Sequence, residues 1–303
     1  MFYNNIITFR RIDMIRLIVI LLILLNVAGA SAQDSIYVEK YLEYAERGNA
    51  DAQYNLGNCY AFKHGDYVKA VEWWTKAAEQ GLADAQFNLA FAYEKGNGVE
   101  MDYVKAEMWY RSAAEQGYVK AQGNLGYLYQ KMQKYDLAIV WYENAATQGH
   151  AISQYNLAAC YLLGKEDIQN AVYWYEKAAE HGYAAAQSDL GVLYLNGRGV
   201  KKNYNKCLAL WHEAAGQGYV DAMYNLGDYY LNGYSGISDH KRAAIWYAKA
   251  AELGDAISQY NLGIMYYYGD GVDKDKDKAK ELWQQSADQG YMPAKQKLKY
   301  FDE

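Results

Sequence analysis

Apolar residues in this chain recur at two spacings at once. Within residues 82–117, Ala85, Leu89 and Ala92-Tyr93 fall four and then three to four residues apart, which predicts one apolar stripe of an amphipathic helix. Gly96-Asn97-Gly98 ends that helix, because Gly adopts the left-handed backbone of a helix terminus without steric cost. A second helix is expected after Asp102, with Ala106, Trp109-Tyr110 and Ala113-Ala114 again at helical spacing and Gly117 as its end. The longer spacing is the recurrence of this whole unit. Its Leu returns at Leu56, Leu89, Leu125, Leu157, Leu190, Leu226, Leu262 and Leu298, at intervals of 33, 36, 32, 33, 36, 36 and 36 residues. A period in this range marks stacked helical hairpins, each burying its apolar face against its neighbours alone.

Boundary residues repeat with the same period. Asp66, Asp102, Lys134, Asp167, Asn203, Asp239 and Asp275 precede the second helices, and all but Lys134 are residue types whose side chain caps a helix N-terminus. Glycines at 48, 81, 117, 149, 182, 218, 254 and 290 mark the ends. No segment alternates with the period of a strand, so the expectation is an all-α chain. Its divisions are 49–81, 82–117, 118–149, 150–182, 183–218, 219–254 and 255–290, with a capping helix over 33–48 and a polar half-repeat over 291–303.

Those residues resemble a known family. Ala-x-x-x-Leu-Gly-x-x-Tyr-x-x-Gly-x-Gly-Val followed by Lys-Ala-x-x-Trp-Tyr-x-x-Ala-Ala-Glu-x-Gly is similar to the Sel-1-like repeat, a relative of the tetratricopeptide repeat. Its Gly-x-Gly-Val loop stands at Gly96–Val99, Gly197–Val200 and Gly269–Val272, while the 32- and 33-residue units have a shorter turn. The resemblance covers residues 49–290 and implies a right-handed α-α superhelix, a solenoid whose first helices line the concave wall. It also implies the role of an adaptor that holds proteins together, in bacteria often in the periplasm or cell envelope. Some members carry paired Cys in each repeat; this chain has Ala at those places, so their bridges do not transfer.

The N-terminus is different material. Arg10, Arg11 and Arg16 precede an apolar run from Leu17 to Leu25, and small residues follow up to Ala30-Ser31-Ala32. This reads as a secretory signal peptide over 1–32, with Met1 or Met14 as the start. The alternative is an uncleaved signal anchor, though the run is shorter than the ~20 residues of a spanning helix. The expected location is therefore periplasmic or secreted, with membrane contact only through the signal.

Composition removes several kinds of chemistry. The net charge is −6 with both signs interspersed, so nothing builds the basic stripe that a phosphate backbone requires, and nucleic acid is not an expected partner. Three cysteines, at 59, 160 and 207, sit at repeat slots where small buried residues are expected. Five scattered histidines form no metal-ligand spacing, and Asp273, Asp275 and Asp277 fail as a calcium loop because Lys278 and Gln284 replace its Gly and Glu. No nucleophile stands beside a base. The expectation is a protein that is not an enzyme, with no metal and no cofactor.

Partner chemistry is sought in two places. Asn55, Asn88, Asn124, Asn156, Asp189, Asn225 and Asn261 occupy the slot just before the repeat Leu, as a ladder of groups suited to an extended peptide. The competing reading has each Asn bonded to a neighbouring backbone carbonyl in the service of the fold. Most of the 34 tyrosines fall at repeat slots and read as packing. Tyr127, Tyr229, Tyr267 and Tyr268 do not, and are candidate aromatic anchors, with Tyr173 and Tyr234 behind them. The partner is expected to be a protein or peptide held in the groove. The alternative is a cell-envelope polysaccharide or peptidoglycan, stacked on exposed aromatics, with weak hydrolase activity.

Overall fold

The computed structural model describes residues 41–299 and 301, so the signal sequence expected over 1–32 lies outside the described residues. Every regular element among them is helical. The chain divides into two compact units, Met1–Leu125 and Gly126–Glu303. The first holds helical residues 41–46, then α1 (Ala50–Asn58), α2 (Tyr67–Glu79), α3 (Ala83–Lys95), α4 (Tyr103–Glu115) and the start of α5 (Val119–Lys131). In the second follow α6 (Tyr135–Ala146), α7 (Ala151–Gly164), α8 (Ile168–Glu180), α9 (Ala184–Asn196) and α10 (Tyr204–Gly216). It is completed by α11 (Val220–Asn232), α12 (His240–Glu252), α13 (Ala256–Tyr268), α14 (Lys276–Asp288) and α15 (Met292–Lys299). Within each unit the main packing is between helices adjacent in sequence, the pattern of an α-α solenoid.

The expected caps are in place. Asp66, Asp102, Asp167, Asn203, Asp239 and Asp275 each accept a hydrogen bond from a backbone amide of the helix they start, and Lys134 caps nothing. Turns of three lengths close in one way. The amide at the cap position donates to the carbonyl of the Tyr four past the Leu in all seven repeats, from Asp66 to Tyr60 through Asp275 to Tyr266, at 2.8–3.0 Å. The longer loop keeps this closure with Gly98 and Gly271 at positive φ, where a Cβ would lie 2.3 Å from the backbone of Tyr67 or His240. In the short turns the left-handed residue is Gly65, Gln133 or Glu166. One feature was not expected: α1 runs on as a π-helical segment, Cys59–Lys63.

The core repeats with the hairpin. Leu56, Leu89, Leu125, Leu157, Leu190, Leu226 and Leu262 are buried, as is the second member of each aromatic doublet, from Trp74 and Tyr110 to Tyr247 and Trp283. The Gly after the Leu makes room for that ring. At Gly57, Gly191 and Gly263 a Cβ would stand 2.5 Å from Trp74, Trp211 and Trp283. Where the ring is Tyr110 or Tyr175, Ala90 or Ala158 takes the place of the Gly.

Candidate partner-binding face

Each first helix presents its Leu inward, and 3.6 residues per turn decide what faces outward. Positions two and six past the Leu lie on the opposite side of the helix, whereas three past lies on the Leu side. This settles the aromatic candidates. Tyr127, two past its Leu, is 44% exposed, and Tyr268, six past, is 62% exposed. Tyr229 stands three past Leu226 and is 2% exposed, so it is no partner anchor: its ring packs against Tyr204, Trp211, Tyr230 and Tyr234. The same slot holds Cys59, Ala92, Leu128, Cys160, Leu193 and Met265, all buried. Tyr267 is half-buried, edge to face with Tyr268 and Phe301 and tilted against Trp283, with Lys297 Nζ 5.4 Å from its ring centroid. Tyr173 and Tyr234 are exposed.

The same two outward slots hold residues that the sequence reading passed over. Phe62, Phe91 and Leu163 are exposed there. In the first unit Phe62 and Phe91 flank a small cavity of about 70 Å³ that Trp74 and Asn88 also line. Helical phase alone would have found them.

All seven ladder residues are half-buried, and most are engaged by a neighbouring repeat. Asn88 Nδ2 donates to Asn58 Oδ1 at 2.9 Å, and Asn58 also accepts from the Trp74 indole at 3.0 Å. Asn124 donates to the Tyr110 hydroxyl at 3.1 Å, and Asn225 to Ser188 Oγ at 3.3 Å. Asn156 is set against the Tyr142 hydroxyl and Asn261 against that of Tyr247. The neighbours reached are side chains rather than the backbone carbonyls of the competing reading. Asp189 accepts from the Tyr155 hydroxyl at 3.0 Å, and burial, with the charge of Asp221 nearby, raises its carboxyl above the usual range.

A second polar ladder, of glutamines, is buried beside it. Gln53, Gln86, Gln122, Gln154, Gln187 and Gln259 each donate through Nε2 to the Ala carbonyl eight residues back, at 2.9–3.4 Å. Gln80, Gln116, Gln217 and Gln289 then donate to Oε1 of Gln53, Gln86, Gln187 and Gln259 at 2.7–2.8 Å, and His181 Nδ1 lies 2.9 Å from Gln154 Oε1. Each such Gln ties the end of one helix to the next hairpin, which is architecture rather than recognition.

Reactive chemistry finds little footing here. Burial pushes the Cys160 thiol up to about 11 and that of Cys207 to about 12, so both stay protonated at neutral pH and are poor nucleophiles. Asp275 caps α14 through the Lys278 amide at 2.9 Å. Among the described residues no group of three or more His, Cys, Asp or Glu is placed to hold a metal ion, and no helix is long and apolar enough to cross a membrane.

Comparison with known proteins agrees with this architecture. A Sel1 repeat protein from Oxalobacter formigenes superposes with a TM-score of 0.74 at 32% identity, over 87% of this chain and 79% of that one. A protective antigen of uropathogenic Escherichia coli strains displaying an SLR fold gives 0.61 at 30% identity, over 86% of this chain, which spans 66% of the antigen's length. Yeast Tom70 shares the fold alone, with a TM-score of 0.54 at 13% identity, over 89% of this chain and 59% of that one. No curated protein matches. The Sel1 repeat pattern matches seven times, at residues 50–82, 83–118, 119–150, 151–183, 184–219, 220–255 and 256–291, and the chain belongs to the Sel1-repeat family.

Proposed function

We infer that this protein is an exported, non-catalytic adaptor that holds a peptide or protein partner along its first helices. Sel1-repeat proteins are in general protein-interaction scaffolds, and the finer reading rests on one observation. The outward slots of the first helices carry Phe62, Phe91, Tyr127, Leu163 and Tyr268, large apolar side chains left exposed where packing has no use for them. The half-buried Asn ladder runs beside them, and its amides keep capacity for a second bond. Basic residues before the apolar run at Leu17–Leu25 support export.

A photo-reactive amino acid placed at residue 62, 127 or 268 tests this in envelope extract. The expected result is one protein cross-linked from these positions and absent when the probe stands at exposed Val140 or Ile245 on second helices. Cross-links from 140 and 245 alone would overturn the reading. Retention on purified peptidoglycan would move it to the polysaccharide alternative.

A further inference from the structure

Two second helices break the aromatic doublet in the same way. Trp73-Trp74, Trp109-Tyr110, Trp141-Tyr142, Trp174-Tyr175 and Trp246-Tyr247 begin with Trp, whereas Leu210-Trp211 and Leu282-Trp283 begin with Leu. Each of these leucines lines an open cleft, of about 420 Å³ at Leu210 and about 410 Å³ at Leu282. The clefts share a register: Leu190, Tyr194 and Lys206 in the first recur as Leu262, Tyr266 and Lys278 in the second.

The repeat between them shows what normally occupies this volume. There the slot holds Trp246, whose ring reaches back to His212 on α10, edge to face, with ring centroids 5.3 Å apart. His212 stands in the register of Glu176, which lines the first cleft. Lys249 Nζ sits 4.1 Å from the centroid of the Trp246 ring, a cation on an aromatic face. The clefts are therefore the space of an indole that these two repeats do not supply.

Their charges differ. Glu176, Glu180 and Glu213 line the first cleft against a single Lys206, while the second has Glu252 against Lys278. Glu180 is paired with Lys177 at 2.8 Å. Glu213 accepts from Gln187 Nε2 at 3.0 Å, and Glu176 from the Tyr194 hydroxyl at 2.9 Å. That hydroxyl itself accepts from Lys206 Nζ at 3.1 Å, so the one Lys of this cleft is tied to the Glu176 side. The first cleft is thus apolar at its floor and anionic at its rim.

We propose that the cleft at Leu210 docks an aromatic side chain of a partner protein that carries a Lys or Arg beside it. The guest repeats the arrangement of Trp246 under Lys249, its ring filling the missing-indole space and its cation meeting Glu176 and Glu213. The site lies between the second helices α8 and α10 over the inward residues Leu190 and Tyr194 of α9, away from the outward slots invoked above, so it stands or falls without that reading.

The test titrates 5-fluorotryptamine, an indole with an ammonium group, into the intact chain by fluorine NMR, with 5-fluoroindole-3-acetate as the anionic control. The amine is expected to bind at least about tenfold more tightly than the acid, and Leu210→Trp to weaken it by about tenfold or more. Leu282→Trp should weaken it less. Leu210→Trp installs the residue that five other repeats carry, and its unfolding midpoint should not fall. Glu176→Gln with Glu213→Gln leaves the cleft volume unchanged and should abolish the preference for the amine. Equal binding of the two probes, or binding indifferent to Leu210→Trp in a folded chain, would overturn the proposal.

Discussion

Gly191→Ala isolates the rule that sets ring against helix. The added Cβ would stand 2.5 Å from Trp211 Nε1 and 2.7 Å from Cδ1, and that indole is 2% exposed with Nε1 donating to the Ser188 carbonyl at 2.9 Å. A ring so enclosed cannot swing aside, and overpacking of this kind costs about 2–3 kcal/mol. Ala gains about 1 kcal/mol over Gly inside a helix, so the expected net loss is about 1–2 kcal/mol. The background decides the cost. Ala90 and Ala158 stand at this slot over Tyr110 and Tyr175, although Gly126 and Gly227 stand over Tyr142 and Tyr247, where a Cβ would lie 2.7 Å from the ring. The smaller ring can therefore be placed to admit Ala, and in a Trp211→Tyr chain the same Gly191→Ala should cost little or nothing. The cycle should therefore show a coupling of about 1–2 kcal/mol, above the ~0.5 kcal/mol scatter of independent sites. Urea unfolding followed by circular dichroism measures it, and faster hydrogen exchange in α9 and α10 should place the loss in this repeat and its neighbours. An equal cost of Gly191→Ala in both backgrounds would refute the close-approach argument.

Three further outcomes are expected. Asp189→Asn should raise the thermal midpoint at pH 7: burial raises this carboxyl above its ordinary value of 3.8, so its ionised form opposes folding, and the gain should fade as pH falls through the raised value and be gone below about 4. Glu166→Gly should stabilise by about 0.5–1 kcal/mol in urea unfolding, since the ~1–2 kcal/mol of left-handed strain at φ 55° exceeds the entropy Gly loses. Gln259→Met copies Met223 of the preceding repeat and removes two bonds, to the Ala251 carbonyl at 3.2 Å and from Gln289 at 2.8 Å. It should cost about 1–3 kcal/mol by the same measurement.

The hairpins were legible because their signals are local and repeat. A cap such as Asp102 and a stop such as Gly117 act within one turn of their own helix, so spacing is enough to read them. What escaped was contact between repeats. The sequence does not say that Gln86 reaches the Ala78 carbonyl, or that the π-helical segment at Cys59–Lys63 lengthens α1 ahead of a short turn. Tyr229 differs from its expectation for a related reason: departure from the repeat consensus does not imply exposure, and the phase of its position on α11 points it inward.

On the proposed adaptor reading, recognition is expected where the repeats differ. A polar side chain that recurs from repeat to repeat and meets the neighbouring one, as the buried glutamines do in six of the seven, is used up by the fold. Most Asn of the ladder are partly used in the same way, and a partner that bonded only to the ladder would find nearly the same chemistry at every repeat. Such a surface could bind but could not set a register. The irregular positions can: Phe62 and Phe91 in the first unit, Asp189 as the one carboxylate in a row of amides, and Leu210 in place of an indole. Substitution at these places should change which partner is held while leaving the fold intact, and substitution at the regular ones should do the reverse.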